Sequence, residues 1–226
     1  MSTTPSIMGF EAVVFDLDGV LIDSRLDYQR MREAIRGLLR EAGVKLEGFE
    51  DLKIWEMLNI AHRRYMERGS SEADWRRLMR RIDEALSRIE IEALPLVRVN
   101  PEAPEVLRAL RIRGLKIGVA TRSCRLYAER SLERVGLRRY IDVLLARDDV
   151  PHPKPDPRHL LAVIKLLRVE PSKALYIGDT TTDLEAARRA GVHFLGLLTE
   201  SEWSRRLLEE DCQVIESLGE LLRYLD

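Results

Sequence analysis

Cysteine is almost missing from this chain: 226 residues hold two, Cys124 and Cys212. Two cysteines build no disulfide framework, so a reducing cytoplasm is the expected setting. Long apolar runs are missing as well, and no segment is expected to cross a bilayer. Met1–Gly9 lacks the basic and apolar regions of a secretory leader. Net charge is nearly absent, at −1 from 37 basic and 38 acidic residues. No global field then draws the chain to nucleic acid or to a membrane surface. Lysine is scarce, with 6 residues against 31 arginines. Arginine keeps its charge and makes planar two-pronged contacts. That bias fits adaptation to heat or plain genome composition, and the sequence leaves both open. No repeat or low-complexity segment stands out.

What is present suffices for a folded enzyme-sized unit. Apolar residues make up 45% of the chain and charged residues 33%, enough for a core and a solvated surface. Val13-Val14-Phe15 is short, apolar and β-branched, which predicts a buried strand. After Ser24 strand signals vanish for about seventy residues. Met31, Ile35, Leu38, Leu39 and Ala42 recur at helical spacing, with Gly43 as a stop. Leu52, Trp55, Leu58, Ile60, Ala61 and Tyr65 predict a second helix ending near Gly69. Ser71 and Asp74 resemble a capping box ahead of a third helix through Trp75, Leu78, Met79, Ile82, Ala85, Leu86 and Ile89.

From Asn100 onward strands and helices alternate. Asn100-Pro101 reads as an N-cap and first helical residue. Strands are predicted at Leu115–Ala120, Ile141–Leu145, Ala174–Ile177 and Val192–Leu197, with a short edge strand at Val214-Ile215. Helices are predicted from Asn100 to about Arg113, then one ending at Gly136, and at Pro157–Leu167, Asp183–Ala190 and Leu218–Leu225. Alternation of this kind predicts an α/β fold, a doubly wound parallel sheet with helices on both faces. The expected division is a core of residues 1–24 and 100–226 with a helical insertion at 25–99.

Asp16 and Asp18 stand two residues apart where the first strand ends, and Gly19 follows as a turn residue. Ligands of open α/β sheets bind at that end of the strands. Two carboxylates held together repel unless a cation or shared proton compensates. Hard oxygen donors in small number suit Mg²⁺. The plainer reading is that such an Asp is a turn residue or helix N-cap. Three further clusters follow in order: Val119-Ala120-Thr121-Arg122-Ser123, Lys154-Pro155-Asp156-Pro157, and Tyr176-Ile177-Gly178-Asp179 with Asp183 four residues on.

Together these four clusters resemble the ordered motifs of the haloacid dehalogenase-like superfamily of hydrolases. The resemblance spans most of the chain and is closest to the phosphoglycolate phosphatase and β-phosphoglucomutase-like group. It implies a Rossmann-like core with an inserted α-helical cap. It implies a Mg²⁺-dependent phosphatase acting on a small phosphorylated metabolite, phosphoglycolate being one candidate, through an aspartyl-phosphate. Asp16 would be the nucleophile and Asp18 the acid and base. Mg²⁺ would be held by Asp16, the Asp18 backbone carbonyl and Asp179, with Asp183 ordering water or a nearby lysine. Thr121, with the Arg122 and Ser123 N–H groups, would seat the phosphoryl group, and Lys154 would give it positive charge.

Several residues carry two readings. Lys154 between prolines could be an exposed loop residue, and Asp183 a first-turn acid favoured by the helix dipole. Arg122 could grip a substrate carboxylate or phosphate, or face solvent. Cys124 reads as a packed thiol. His62, His152, His159 and His193 lack ligand spacing and are assigned no metal. Arg63, Arg64, Arg76, Arg77, Arg80 and Arg81 read as solvated helix faces. A mutase reading is weakened because Tyr28 stands where such relatives carry a His. A dehalogenase would lack Asp18. Phosphonate hydrolysis would need a cap lysine, and Lys45 and Lys53 have no such context. A non-catalytic module on the same fold is the remaining alternative.

Overall fold

The computed structural model describes residues 9–49 and 52–224. The readings placed on Met1–Met8 and Leu225 lie outside these residues. In chain order the elements open with β1 (Ala12–Phe15) and β2 (Ile22–Asp23). Helices α1 (Tyr28–Glu41), α2 (Ile54–Glu67) and α3 (Glu72–Ala93) follow. Then come β3 (Arg98–Val99), α4 (Ala103–Ile112), β4 (Lys116–Ala120), α5 (Arg125–Arg134) and β5 (Val143–Leu145). The chain continues through α6 (Pro157–Leu167), β6 (Ala174–Gly178), α7 (Thr181–Ala190), β7 (His193–Leu197), α8 (Glu202–Arg205) and β8 (Gln213–Ile215). No helix among the described residues is long and apolar enough to cross a membrane.

Six strands form one parallel sheet in the order β5-β4-β1-β6-β7-β8. The chain begins in the middle, builds outward on one side to β5, then returns to build the other side. Strand β1 is fully buried, which explains its unbroken Ala-Val-Val-Phe run. On one face Val14, Ala120 and Tyr176 pack with Leu160, Val163, Ile164 and Leu167 of α6 and Ala187 of α7. Phe15 lies opposite Val119 on one side and Ile177 on the other. This register brings the chain out of β1, β4 and β6 at one level, so residues just past each strand emerge together.

Residues 25–95 form a separate compact unit. Its three helices bury Met31, Ile35, Leu39, Met57, Ala61, Leu78 and Ile82 as one apolar cluster. All but Met57 are among the periodic positions that predicted the helices; in α2 the buried face is carried by Met57 and Ala61. Ser71 caps α3, its Oγ accepting from the Asp74 N–H at 3.1 Å and donating to the Asp74 carboxylate at 2.7 Å.

Three boundaries differ from the sequence reading. Residues 96–99 belong to the sheet unit and not to the insertion. Arg98 and Val99 pair antiparallel with Asp23 and Ile22, a long-range ladder that periodicity does not reveal. Asn100 does not cap α4, which starts at Ala103 with Glu102 in the cap position. Its side chain instead donates to Val20 O at 2.8 Å and accepts from the Glu102 N–H at 3.1 Å. A turn thus separates Asn100 from the helix. Finally, the segment Leu218–Tyr224 is a 3₁₀ helix where an α-helix was expected.

Candidate active site

Asp16 follows β1 directly, and its N–H still donates to Ile177 O at 2.8 Å, which fixes its backbone to the sheet. Its Oδ1 accepts from the Leu17 N–H at 2.7 Å and meets Lys154 Nζ at 2.9 Å. Oδ2 accepts no hydrogen bond from the described residues, and the side chain keeps 13% exposure. Burial pushes the Asp16 carboxyl up to about 7, opposed by Lys154 and reinforced by Asp183 and Asp18.

The tight turn after Asp18 depends on Gly19. Its φ is +84°, and a Cβ there would stand 2.2 Å from Asp179 Oδ2. Glycine is therefore demanded twice, by the backbone and by the carboxylate lying against it. Asp18 is gripped by hydroxyls. Ser123 Oγ donates to its Oδ2 at 2.7 Å, Thr121 Oγ1 to the same atom at 3.3 Å, and Tyr127 OH to Oδ1 at 3.3 Å. Asp16 and Asp18 thus share a neighbourhood but hold separate partners.

Thr121 leaves β4 with its N–H donating to Leu145 O at 3.0 Å. The Ser123 N–H, expected to face an anion, donates to Thr121 Oγ1 at 3.0 Å. Arg122 is half-buried, and its carbonyl accepts from Arg147 Nη1 at 2.7 Å. Cys124 is buried at the start of α5, as a packed thiol should be.

Lys154 is 1% exposed, which rules out the exposed-loop reading. Its ammonium has three donors, and each is used: Asp16 Oδ1 at 2.9 Å, Asp183 Oδ1 at 2.7 Å and Tyr176 OH at 2.7 Å. Asp183 is saturated on both oxygens. Oδ1 takes Lys154 and the Tyr176 hydroxyl at 2.7 Å, while Oδ2 takes Thr180 Oγ1 at 2.5 Å and the Thr180 N–H at 3.1 Å. Although burial works to raise its carboxyl, Lys154 and these donors hold it below the ordinary Asp value. The close approach of α7 to β6 needs Gly178, since a Cβ there would lie 2.4 Å from Asp183 Cβ.

Asp179 is the opposite case. It is 7% exposed, and no hydrogen-bond donor among the described residues reaches it. Burial, with Asp183 and Asp16 beside it, pushes its carboxyl well above the usual range. Carboxylate oxygens of Asp16, Asp179 and Asp183 lie within 4.8 Å of one another. The Asp18 side chain is outside this set. Hard oxygen donors, an orphaned carboxylate and an excess of negative charge over the single Lys154 ammonium all fit a divalent cation such as Mg²⁺.

The structure therefore brings Asp16, Asp18, Thr121, Ser123, Lys154, Asp179 and Asp183 to one edge of the sheet. Three contributors escaped the sequence reading. Tyr176 lay inside a recognised cluster without an assigned part. Tyr127 reaches in from α5. His159, set aside for lack of ligand spacing, is fully buried beside Lys154.

Comparisons with known proteins show the family to which the chain belongs. The profile of the haloacid dehalogenase-like hydrolase family matches residues 13–197. A phosphoglycolate phosphatase of Pseudomonas putida is 30% identical over 221 residues, covering 93% of this chain and 78% of that protein. A phosphorylated carbohydrates phosphatase of Thermotoga maritima is 30% identical over 220 residues, covering 95% and 98%. The crystal structure of a hydrolase from Pseudomonas syringae superimposes with a TM-score of 0.64 at 26% identity, covering 95% and 97%. The chain is thus an enzyme that belongs to the haloacid dehalogenase-like hydrolase family.

Proposed function

We propose that this enzyme hydrolyses small phosphate monoesters, with Asp16 as nucleophile. The observation that carries the reading is the division of labour on Asp16. Lys154 and the Leu17 N–H hold one oxygen, and the other takes no hydrogen bond from the described residues. A carboxylate so held presents one oriented oxygen to phosphorus.

In the first half of the reaction Asp16 Oδ2 forms a bond to phosphorus and the bond to the leaving alcohol breaks. Asp18 gives that alcohol its proton. In the second half Asp18 takes a proton from water, the water oxygen bonds to phosphorus, and the Asp16–phosphorus linkage breaks to release phosphate. All three Lys154 donors are engaged within the protein, so its charge acts on the phosphoryl oxygens through space. Thr121 and Ser123 hold Asp18 in the site. Asp16, Asp179 and the Asp18 backbone carbonyl would hold Mg²⁺, with Asp183 orienting Lys154. Bound there, the ion supplies charge neutralisation for the carboxylates and the phosphoryl group.

The relatives' names support phosphoglycolate or a phosphorylated carbohydrate as the substrate. Residues 25–95, inserted between the first and second clusters, are assigned the substrate-selecting cap by their place in the chain. Tyr28 in place of a histidine argues for hydrolysis over a mutase.

The test is phosphate release from p-nitrophenyl phosphate, phosphoglycolate and a sugar-phosphate panel. Asp16→Asn should leave the thermal melt intact and lower kcat on the order of 10³-fold or more, since a neutral amide cannot attack phosphorus. Chelation should abolish release and Mg²⁺ should restore it. Near-normal turnover by folded Asp16→Asn protein would reject the assignment.

A further inference from the structure

Lys154 is held at both ends. The bonds at its ammonium are described above. At its other end the main-chain N–H donates to His159 Nδ1 at 3.3 Å. His159 Nε2 lies 3.1 Å from Leu145 O, and the residue is fully buried. A main-chain N–H can only donate and a carbonyl can only accept. The ring is therefore fixed as the neutral tautomer with its proton on Nε2. Leu145 O also accepts the Thr121 N–H at 3.0 Å. One imidazole thus joins the Lys154 loop to the end of β5 and, through a shared carbonyl, to the start of the Thr121–Ser123 turn.

The local sequence explains how the ring gets there. Asp156 caps α6, its carboxylate accepting from the Arg158 N–H at 2.9 Å, and Pro157 starts the helix. His159 is then the third helical residue. Helical side chains lean toward the N-terminus, so this one points back at the loop that precedes its own helix. Burial and the charge of Lys154 keep the ring neutral, lowering its pKa to about 4.

We infer that His159 is a positioning residue for phosphoryl transfer: its Nδ1 fixes the main chain at Lys154 and so sets where the ammonium stands against Asp16. The inference rests on the phosphatase reading. Lysine has a flexible four-carbon stem. Three bonds at the tip place the ammonium reproducibly only if the backbone end is fixed too. An apolar residue of similar size would fill the space and leave a buried N–H without an acceptor.

Three variants separate positioning from packing. The amide oxygen of His159→Asn falls near Nδ1 and keeps an acceptor for Lys154. The longer side chain of His159→Gln reaches toward Nε2 and keeps only the bond to Leu145 O. His159→Leu keeps neither. Expected for p-nitrophenyl phosphate with Mg²⁺ is a kcat loss of about ten-fold or more in the Gln and Leu variants, with KM changed far less. The Asn variant should recover most of kcat whatever its melting temperature. Equal kcat in the Asn and Gln variants, or kcat that simply tracks melting temperature, would overturn the role. A second measurement needs no turnover. Nitrogen-15 spectra of the wild-type protein at neutral pH should show His159 with Nε2 protonated and Nδ1 bare. The opposite tautomer would overturn the inference even if every ester is hydrolysed. A wild type that hydrolyses no ester would instead overturn the phosphatase reading, while the spectra still decide for or against the His159 bond.

Discussion

Lys154 and Asp183 meet at 2.7 Å with 1% of either side chain exposed, and every polar hydrogen of the ammonium has a partner. Arg81 and Glu41, in the helical insertion, meet at 2.8 Å with more than half of each side chain in water. The distances are nearly equal and the energetics are not. Water screens the second pair and can replace either partner. The first pair has no water to fall back on, so removing one member strands the other. The sheet unit concentrates buried, paired charges at the strand ends, whereas in the insertion the pairs Arg81–Glu41, Arg30–Glu92 and Arg77–Asp74 lie exposed on the helices. Three experiments probe that contrast.

The largest effect should come from Lys154→Met. The substitution keeps most of the volume and deletes the charge shared by Asp16 and Asp183. Loss of one partner from a buried ionic cluster costs about 3–5 kcal/mol. Urea unfolding in metal-free buffer at neutral pH measures it. The stranded carboxylates should take up protons, so the deficit should shrink as pH is lowered. A loss near that of a surface pair would erase the contrast.

The second effect is a pH dependence, with His159 as its source. Its folded pKa of about 4 lies below the ordinary histidine value, chiefly through burial and then the Lys154 charge. Between pH 6.5 and 4 the unfolded chain binds a proton that the native ring refuses. Stability therefore falls as pH drops through this window and levels off below it. The contribution reaches about 3 kcal/mol at pH 4. Carboxylates titrate in the same range, so the readout is the difference between wild type and His159→Gln. The wild type should lose about 3 kcal/mol more between pH 7 and pH 4. Parallel curves would show that the native ring accepts the proton freely.

How much of this was legible beforehand depended on the range of the interaction. The six strands of the parallel sheet and the helical insertion follow from local signals, apolar runs, periodicity and turn residues, while the four clusters were legible through their resemblance to the family's motifs. What escaped depends on partners distant in the chain. Asn100 looked like an N-cap because Asn-Pro is a local cap signal, yet its amide serves Val20 O, eighty residues away. Arg64 was expected to be a solvated helix residue. Instead it donates to Lys45 O at 2.7 Å and Glu47 O at 3.1 Å, and its guanidinium sits 5.0 Å from the Phe49 ring. Those carbonyls lie in a loop without a ladder of its own, and nothing in helical periodicity announces them. His159 was set aside because the test applied to it was metal spacing, while its actual partners are a main-chain N–H and a carbonyl.

The smallest effect should belong to Arg81 and Glu41, and it tests the contrast from the other side. The pair joins α1 to α3 across forty residues, so it resembles a tertiary clamp. Its geometry alone, at 2.8 Å, would suggest strength comparable to the Lys154 cluster. Exposure argues otherwise. Both side chains must give up rotamer freedom to meet, and salt screens what they gain. A double-mutant cycle of Arg81→Ala and Glu41→Ala isolates the pairwise part, because it subtracts what each side chain does alone. The expected coupling is about 0.5 kcal/mol or less, and it should fade further at high salt. The apolar cluster of Met31, Ile35, Leu39, Leu78 and Ile82 holds the same two helices together, so the unit should remain folded in all three variants. A coupling of about 2 kcal/mol or more would place this surface pair with the buried cluster, and burial would no longer explain why the two regions differ.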